Sequence, residues 1–372
     1  MQIKNPFMVY GYVSPEYFCD RITETSELIG ALENGRNVTL LSPRRMGKTG
    51  LIKNAFYHIT HERKDVLCFY VDIYSTRTLQ EFVKTFGETV LGNADTFPQK
   101  LMDVIGKVLT HCRISYHSDK ILGGKVTLEF TEDETEATLS DIFTYLSSTG
   151  KECFIAIDEF QQITEYADDK TEALLRTYVQ EYPLIHFIFS GSKRHVMSDI
   201  FNTPHRPFFC STEKMPLGEI NEKEYFLFAE KHFEKIMTVL PEDTFHNLYD
   251  MFRGHTWYIQ YVLNVIYQQA PAIVDDDLVR SAVKYIVCRN IDEYEGFYRM
   301  LSLNQQNLLI SIAREGTVKS INSAKFIEKH SLPGTSSINK AVKFLVDREF
   351  LYQYADGYQV YDRFFAIWLR DR

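Results

Sequence analysis

The apolar positions of this chain follow two rhythms. Unbroken apolar runs occur at Val38-Thr39-Leu40-Leu41, Val66 to Asp72, Glu152 to Asp158 and Leu184 to Ser192. Such runs suit strands buried on both faces. Between them the apolar residues recur at helical spacing. These stretches are Thr23–Glu33 (stopped by Asn34-Gly35), Leu51–Ile59, Leu79–Leu91, Leu139–Leu146 and 169–181. Strands alternating with helices predict a parallel α/β sheet with right-handed crossovers. Glu213-Lys214-Met215-Pro216-Leu217 reads as a fifth strand.

The rest of the pattern sets the domain plan. Residues 1–35 form an entry segment, and 93–135 read as an insertion. In the insertion a helix is expected near Pro98–His111. A hairpin follows, Arg113–His117 and Lys125–Phe130 around Gly123-Gly124. The acidic stretch Glu132 to Glu136 reads as a solvated helix start. Residues 220–295 are helical by pattern. Three short helices come next, near Asn304–Ala313, Ser323–His330 and Ser336–Asp347. Glu349–Tyr354 and Tyr358–Tyr361 then flank a turn at Asp356-Gly357. The expected division is a core at 1–218, a helical part at 219–298 and a third unit at 299–372.

Composition narrows the class. A chain of 372 residues with 45% hydrophobic and 24% charged residues is globular and holds two or three domains. The formal net charge of −9 argues against a surface that binds nucleic acid all over, but leaves room for a local patch. Six scattered cysteines, with no C-x-x-C and no His at metal spacing, read as thiols in a reducing compartment. Met1 to Phe7 lack a leader pattern, and no stretch approaches the length of apolar residues that spans a bilayer. A cytoplasmic protein with no membrane partner is expected.

The sharpest chemical signal is Ser42-Pro43-Arg44-Arg45-Met46-Gly47-Lys48-Thr49, lying between a strand and a helix. Loop N–H groups and the positive end of a helix together hold phosphate oxygens. Ser42 to Gly50, with Pro43, Arg44, Arg45, Met46 and Gly47 between, form the expected phosphate cradle. Lys48 would reach the β- and γ-phosphates, and Thr49 would ligate Mg²⁺. One position departs from G-x-x-x-x-G-K-[ST]: Ser42 stands where the first glycine belongs, and glycine there serves positive φ and close approach.

A second signal supports the first. The run Cys153 to Ile157 ends in Asp158-Glu159. Ligands of open α/β sheets bind beyond the C-terminal strand ends. Asp158 would hold Mg²⁺ there, through water or directly. Glu159 would orient and polarise a water against the γ-phosphate. The two segments together point to ATP and Mg²⁺.

Other residues carry weaker signals. A hydroxyl of Ser190 or Ser192, at the end of the neighbouring strand, could sense the γ-phosphate and the attacking water; the alternative is turn chemistry. Lys193 and Arg194 could touch phosphate or simply face solvent. Tyr17, Phe18 and Arg21 are candidates for an adenine pocket, against plain packing of the entry segment.

At this point the chain resembles the archaeal-type P-loop ATPases of the AAA+/STAND group, nearly end to end. The resemblance rests on Leu41 to Thr49, Ile155-Ala156-Ile157-Asp158-Glu159-Phe160-Gln161, Ile188-Phe189-Ser190-Gly191-Ser192, Arg206-Pro207-Phe208-Phe209 and Gly254-His255-Thr256-Trp257-Tyr258-Ile259-Gln260. It implies an AAA+-like core, a helical lid over 219–298 and a C-terminal winged helix over 299–372. Thr256 stands where the group often has proline in its lid motif. AAA+ rings place a trans-acting arginine in the region of Arg206, which would require a homo-oligomer; many STAND-like members lack one.

The winged helix has two readings. As a DNA reader it would set Ser336–Asp347 in the major groove of duplex DNA, with Ser337, Asn339, Lys340 and Lys343 facing bases and phosphates. Residues 302–372 hold ten Lys/Arg and seven Asp/Glu, a modest basic excess in an acidic chain. As a clasp it would pack on the ATPase core. The functional expectation is therefore an ATP-binding, slowly hydrolysing switch that acts on a protein partner. The alternative is a DNA-associated ATPase like origin-recognition or loader proteins.

Overall fold

The structure is a computed structural model. It describes residues 4–92, 107–119, 123–168, 170–354 and 356–372. The chain separates into two compact units. One is Tyr10–Ile220; the other joins Met1–Val9 to Asn221–Arg372.

In the first unit the chain runs through β1 (Val38–Leu41), β2 (Val66–Asp72), β3 (Arg113–Asp119), β4 (Gly123–Glu129), β5 (Glu152–Asp158), β6 (Ile185–Gly191) and β7 (Glu213–Pro216). Five of these make one parallel sheet in the order β2-β5-β6-β1-β7. Both faces of its centre are apolar. Phe154 and Ala156 pack with Leu40, Leu51, Ile52 and Ile188. The alternate residues Cys153, Ile155 and Ile157 pack with Val71, Phe86, Phe187 and Phe189. A strand covered on both sides has no polar beat, which is why β5 and β6 are unbroken apolar runs. β7 lies at an edge, buries only Met215 and ends in proline, as an edge tolerates.

Register brings the chemistry to one rim. Asp72 pairs with Asp158, Ile157 with Phe189 and Leu40 with Ser190. The loop after β1, the Gly191-Ser192 turn after β6 and Asp158-Glu159 after β5 therefore leave the sheet at the same C-terminal edge.

The hairpin in the 93–135 segment differs from expectation in one respect. Gly123 and Gly124 belong to β4, paired with Asp119 and Ser118, and do not form the turn. Glycine meets every demand of an extended ladder, so a Gly-Gly pair marks a turn only when its flanking pattern stops. Most of the helix expected over Pro98–His111 lies outside the described residues. The hairpin is part of the core: Val126 and Leu128 are buried against the face of helix Leu79–Gly92.

The second unit is built mainly of helices, several of which begin at a side-chain cap. Asn221 caps Glu222–Glu234, Asp275 caps Asp276–Arg289, Ser323 caps Ala324–Lys329 and Asp362 caps Arg363–Arg370. Ser302 and Gln305 form a capping box on Leu303–Glu315. The N-terminal segment belongs here. Phe7 is fully buried beside Phe233, and Asn264 donates to the Phe7 carbonyl at 2.7 Å. Trp257 Nε1 donates to the Val9 carbonyl at 3.0 Å.

The last third of this unit has winged-helix form: Leu303–Glu315, Ala324–Lys329 and Thr335–Asp347, then the hairpin β8 (Leu351–Tyr354) and β9 (Gly357–Val360). Tyr354 pairs with Gly357, so Gly357 is already in the ladder and the turn expected at Asp356-Gly357 is placed one residue too late. A final helix, Arg363–Arg370, has no counterpart in the pattern reading. It locks the winged helix to the expected lid helices. Phe364 is buried with its ring 5.3 Å from that of Phe252 and 5.1 Å from that of Tyr258. No helix among the described residues is long and apolar enough to cross a membrane.

Gly357 has φ +137°, and a Cβ there would stand 2.6 Å from the Val318 carbonyl oxygen. Val318 and Tyr358 exchange both backbone bonds, at 3.0 and 2.9 Å, so this neighbour cannot retreat cheaply. Gly357→Ala is expected to destabilise the second unit by about 1–3 kcal/mol. A lowered denaturant midpoint checks this; an unchanged midpoint would show that the wing is not held by this bridge.

Candidate functional site

The loop between β1 and helix Lys48–Glu62 is shaped by two left-handed residues, Arg45 (φ 65°) and Gly47 (φ 95°). Ser42, by contrast, has no positive φ and is buried. The missing first glycine therefore causes no backbone strain. Gly50 is needed for space: its Cβ would meet Phe18 Cε2 at 2.8 Å. Phe18 thus lies against the first turn of helix Lys48–Glu62.

Arg21 is almost wholly buried beside the loop. It donates to the carbonyls of Met46 at 3.0 Å and Gly218 at 2.7 Å, and pairs with Glu24 at 2.6 Å. Its guanidinium ties the entry segment, the loop and the exit of β7 together.

Lys48 opens the helix, and its Nζ donates to the carbonyls of Ser42 at 3.1 Å and Pro43 at 3.0 Å. Burial pushes its ammonium down to about 8; Asp158 and Glu159 oppose the fall, and Arg44 adds to it. Thr49 Oγ1 donates to Asp158 Oδ2 at 3.0 Å. The Glu159 N–H donates to Asp158 Oδ1 at 3.0 Å. A third donor on Asp158 was not foreseen. The Tyr70 hydroxyl, from β2, donates to Oδ2 and lies 3.4 Å from Thr49 Oγ1. Burial, then Asp158, raises the Tyr70 phenol well above its ordinary range, so it stays a donor. No sequence motif marks Tyr70, because a tyrosine in an apolar strand reads as core.

Glu159 takes a left-handed φ of 57°. Its carboxylate accepts from Ser192 Oγ at 2.7 Å and from Gln161 Nε2. Arg44 Nε in turn donates to Ser192 Oγ at 3.1 Å. Ser190 Oγ is fully buried and has no partner among the described residues. Gly191 between the two serines admits no side chain, since a Cβ would lie 2.2 Å from Gln161 Oε1.

The remaining candidates lie apart from this cluster. Lys193 pairs with Glu165 at 2.8 Å, and Arg194 opens helix Arg194–Asn202. Arg206 pairs with Glu172 at 2.8 Å and stands 3.8 Å from Asp199. Tyr17 closes a short 3-10 turn, Pro15–Tyr17.

The donor set fits a Mg-triphosphate. A long helix begins at the loop, a buried lysine is held only by exchangeable loop carbonyls, and a threonine is already bonded to an aspartate. Comparison with known proteins agrees at the level of fold. A Walker-type ATPase of Pyrococcus abyssi superposes with a TM-score of 0.66 at 18% identity, over 98% of this chain and 99% of that one. The ORC1 protein of Aeropyrum pernix, solved in complex with DNA, gives 0.54 at 14% identity over 98% and 96%. The ORC2 protein of the same organism, in an ADP form, gives 0.54 at 15% identity over 96% and 93%. A family model described as "Probable winged helix domain" matches residues 292–371. No curated protein matches by sequence. This chain has the fold of an AAA+ P-loop ATPase with a C-terminal winged helix.

In that fold the buried Lys48 is a cost borne without ligand. Its folded pKa, about 8, lies below the ordinary lysine value of 10.5, so the unfolded chain binds more protons between those values. Stability from this group should rise as pH climbs from about 8 toward about 10, by at most on the order of 3 kcal/mol. Lys48→Met should lack that rise. Urea unfolding of both chains at several pH values checks it. Parallel stability curves would mean that Lys48 is not desolvated.

Proposed function

We propose that this chain binds Mg·ATP and hydrolyses it slowly, as a nucleotide-driven switch that acts on a protein partner. The observation that carries the reading is that Thr49 and the Glu159 N–H both bond the Asp158 carboxylate, while the buried Lys48 ammonium feels the charges of Asp158 and Glu159. Bound Mg²⁺ would supply positive charge across the β- and γ-phosphate oxygens. Thr49 Oγ1 and Asp158 would hold that ion, with Tyr70 and the Glu159 N–H fixing the carboxylate. Lys48 Nζ would leave the Ser42 and Pro43 carbonyls for phosphate oxygens, and the N–H groups of the loop would point at the same anion.

Glu159 is the group able to take a proton from water. Its carboxylate accepts from Ser192 and Gln161, and one of those bonds must open before it can engage a water, which supports slow turnover. Ser192, bonded to both Arg44 and Glu159, is the residue through which an occupied loop would affect the base. Ser190, with its unpartnered hydroxyl, is a second candidate to meet the γ-phosphate. Phe18 and Arg21 flank the first helical turn, with Phe18 the better surface for a base ring because Arg21 is spent on backbone carbonyls. Arg206 would act in trans only after leaving Glu172.

Glu159→Gln should bind ATP like the parent and hydrolyse it at least about tenfold more slowly. Calorimetry and phosphate release on the same samples test this. A parent chain that does not bind Mg·ATP would end the proposal. Equal turnover would leave Glu159 a structural role.

A second reading, a DNA-associated ATPase, has its own support. Helix Thr335–Asp347 buries Ile338, Ala341 and Leu345, while Ser337, Asn339, Lys340 and Lys343 are exposed. One of the similar structures was solved with DNA. Changing Lys340 and Lys343 together to Glu should then weaken duplex binding and reduce its salt slope by roughly two. Binding isotherms at several salt concentrations check it. Duplex affinity that is absent, or indifferent to the change, leaves the protein-directed switch.

A further inference from the structure

Three guanidinium groups of the second unit meet in a cleft that the chemistry above does not use. Arg253 is the left-handed cap of helix Glu242–Phe252, with φ 53°. Arg363 and Arg370 begin and end helix Arg363–Arg370. Together with Ala313, Gly316 and Val360 they line one small cleft of about 40 Å³.

Their charges are poorly compensated. Arg253 Nη1 stands 3.3 Å from Asp356 Oδ2. Arg370 Nε donates to the Ala313 carbonyl at 2.8 Å, and its neighbour Asp371 is exposed. Arg363 Nε is buried with no hydrogen-bond partner among the described residues; its guanidinium lies 5.4 Å from the centre of the Tyr354 ring. Burial, then repulsion from Arg363 and Arg253, lowers the Arg370 pKa, so the three charges sense one another. The C-terminal ends of Glu242–Phe252 and Leu303–Glu315 meet here and offset part of the field, about half a charge each. Arg363 Nε still has no acceptor among the described residues. A buried donor left unmade costs about 1–3 kcal/mol, and an anion held by the three guanidinium groups would offset their repulsion.

We infer that this cleft is a binding site for a single tetrahedral oxyanion of phosphate type, free or at the end of a small molecule. The planar forks of arginine match phosphate oxygens in pairs. The space equals about three water molecules, enough for one phosphate group and too little for a nucleoside. The site is separate from the Lys48 loop and from the exposed face of Thr335–Asp347, and it does not depend on the function proposed above.

The test is phosphate binding by the full chain carrying Lys48→Ala, which removes the phosphate-directed ammonium of the loop. Inorganic phosphate and pyrophosphate, titrated at constant ionic strength against chloride, should raise its thermal midpoint saturably. Adding Arg363→Gln should weaken that binding at least tenfold. The phosphate-free midpoint should stay level or rise, because one repelling charge is gone. If Lys48→Ala does not fold, the same comparison is made between the parent chain and Arg363→Gln, since the loop is common to both. An equal response with and without Arg363, or no saturable response, overturns the inference. So does a loss of duplex-DNA affinity in Arg363→Gln when free phosphate has no effect, which would assign the cleft to a nucleic-acid surface.

Discussion

The structure of the site depends on one carboxylate. Asp158 ends the inner strand β5 and accepts three hydrogen bonds from three different places: Thr49 on the helix after the loop, Tyr70 on β2 and the N–H of Glu159. Each of them also fixes something else. Thr49 sets the first helical turn against the sheet rim, Tyr70 locks the flanking strand, and the Glu159 N–H holds that residue in its left-handed conformation. Removing the carboxylate would leave three donors unmet and loosen Glu159, Thr49 and the loop together.

A second clamp works from the opposite side of the loop. Arg21 binds the Met46 and Gly218 carbonyls and is balanced by Glu24. Met46 directly precedes the left-handed Gly47, so the buried guanidinium steadies the turn that aims the loop. Asp158 and Arg21 thus hold the loop from its C-terminal and its outer side. Lys48, between them, is desolvated and bonded only to carbonyls. A frame around a buried ammonium that has only neutral carbonyls as partners would suit the proposed anion site, because the desolvation cost is met before a ligand arrives.

Much of this was legible in the sequence because it is periodic or covalently local. The buried strands β5 and β6 announced themselves as unbroken apolar runs, and the loop and Asp158-Glu159 by spacing. What was not legible depends on packing between segments distant in the chain. Tyr70 looks like a core aromatic until β2 is placed in register with β5. Arg21 reads as an adenine-pocket candidate or as packing of the entry segment, and its bond to the Gly218 carbonyl appears only when that distant residue is brought to it. The worry over Ser42 proved misplaced, since the positive φ in the loop falls on Arg45 and Gly47. Gly123-Gly124 looked like a turn because composition alone does not say where a ladder stops. Helix Arg363–Arg370 was missed because it follows the wing directly, with Asp362 as its sole start signal.

That final helix changes what the C-terminal region can do. Phe364 packs against Phe252 and Tyr258, and its ring lies 6.1 Å from that of Trp257 and 6.0 Å from that of Tyr261. Those four aromatics belong to the helices read as a lid. A buried aromatic of this size makes a large share of the packing energy of a small domain. Separating the winged helix from those helices would expose Phe364 and its partners at once. The two therefore share a core and move as one body. Any motion imposed on helices Glu242–Phe252 and Thr256–Gln269 is delivered to the exposed face of Thr335–Asp347 without a flexible linker to absorb it. Both readings of that face, a contact for a protein or for duplex DNA, gain a mechanical route from the same buried ring.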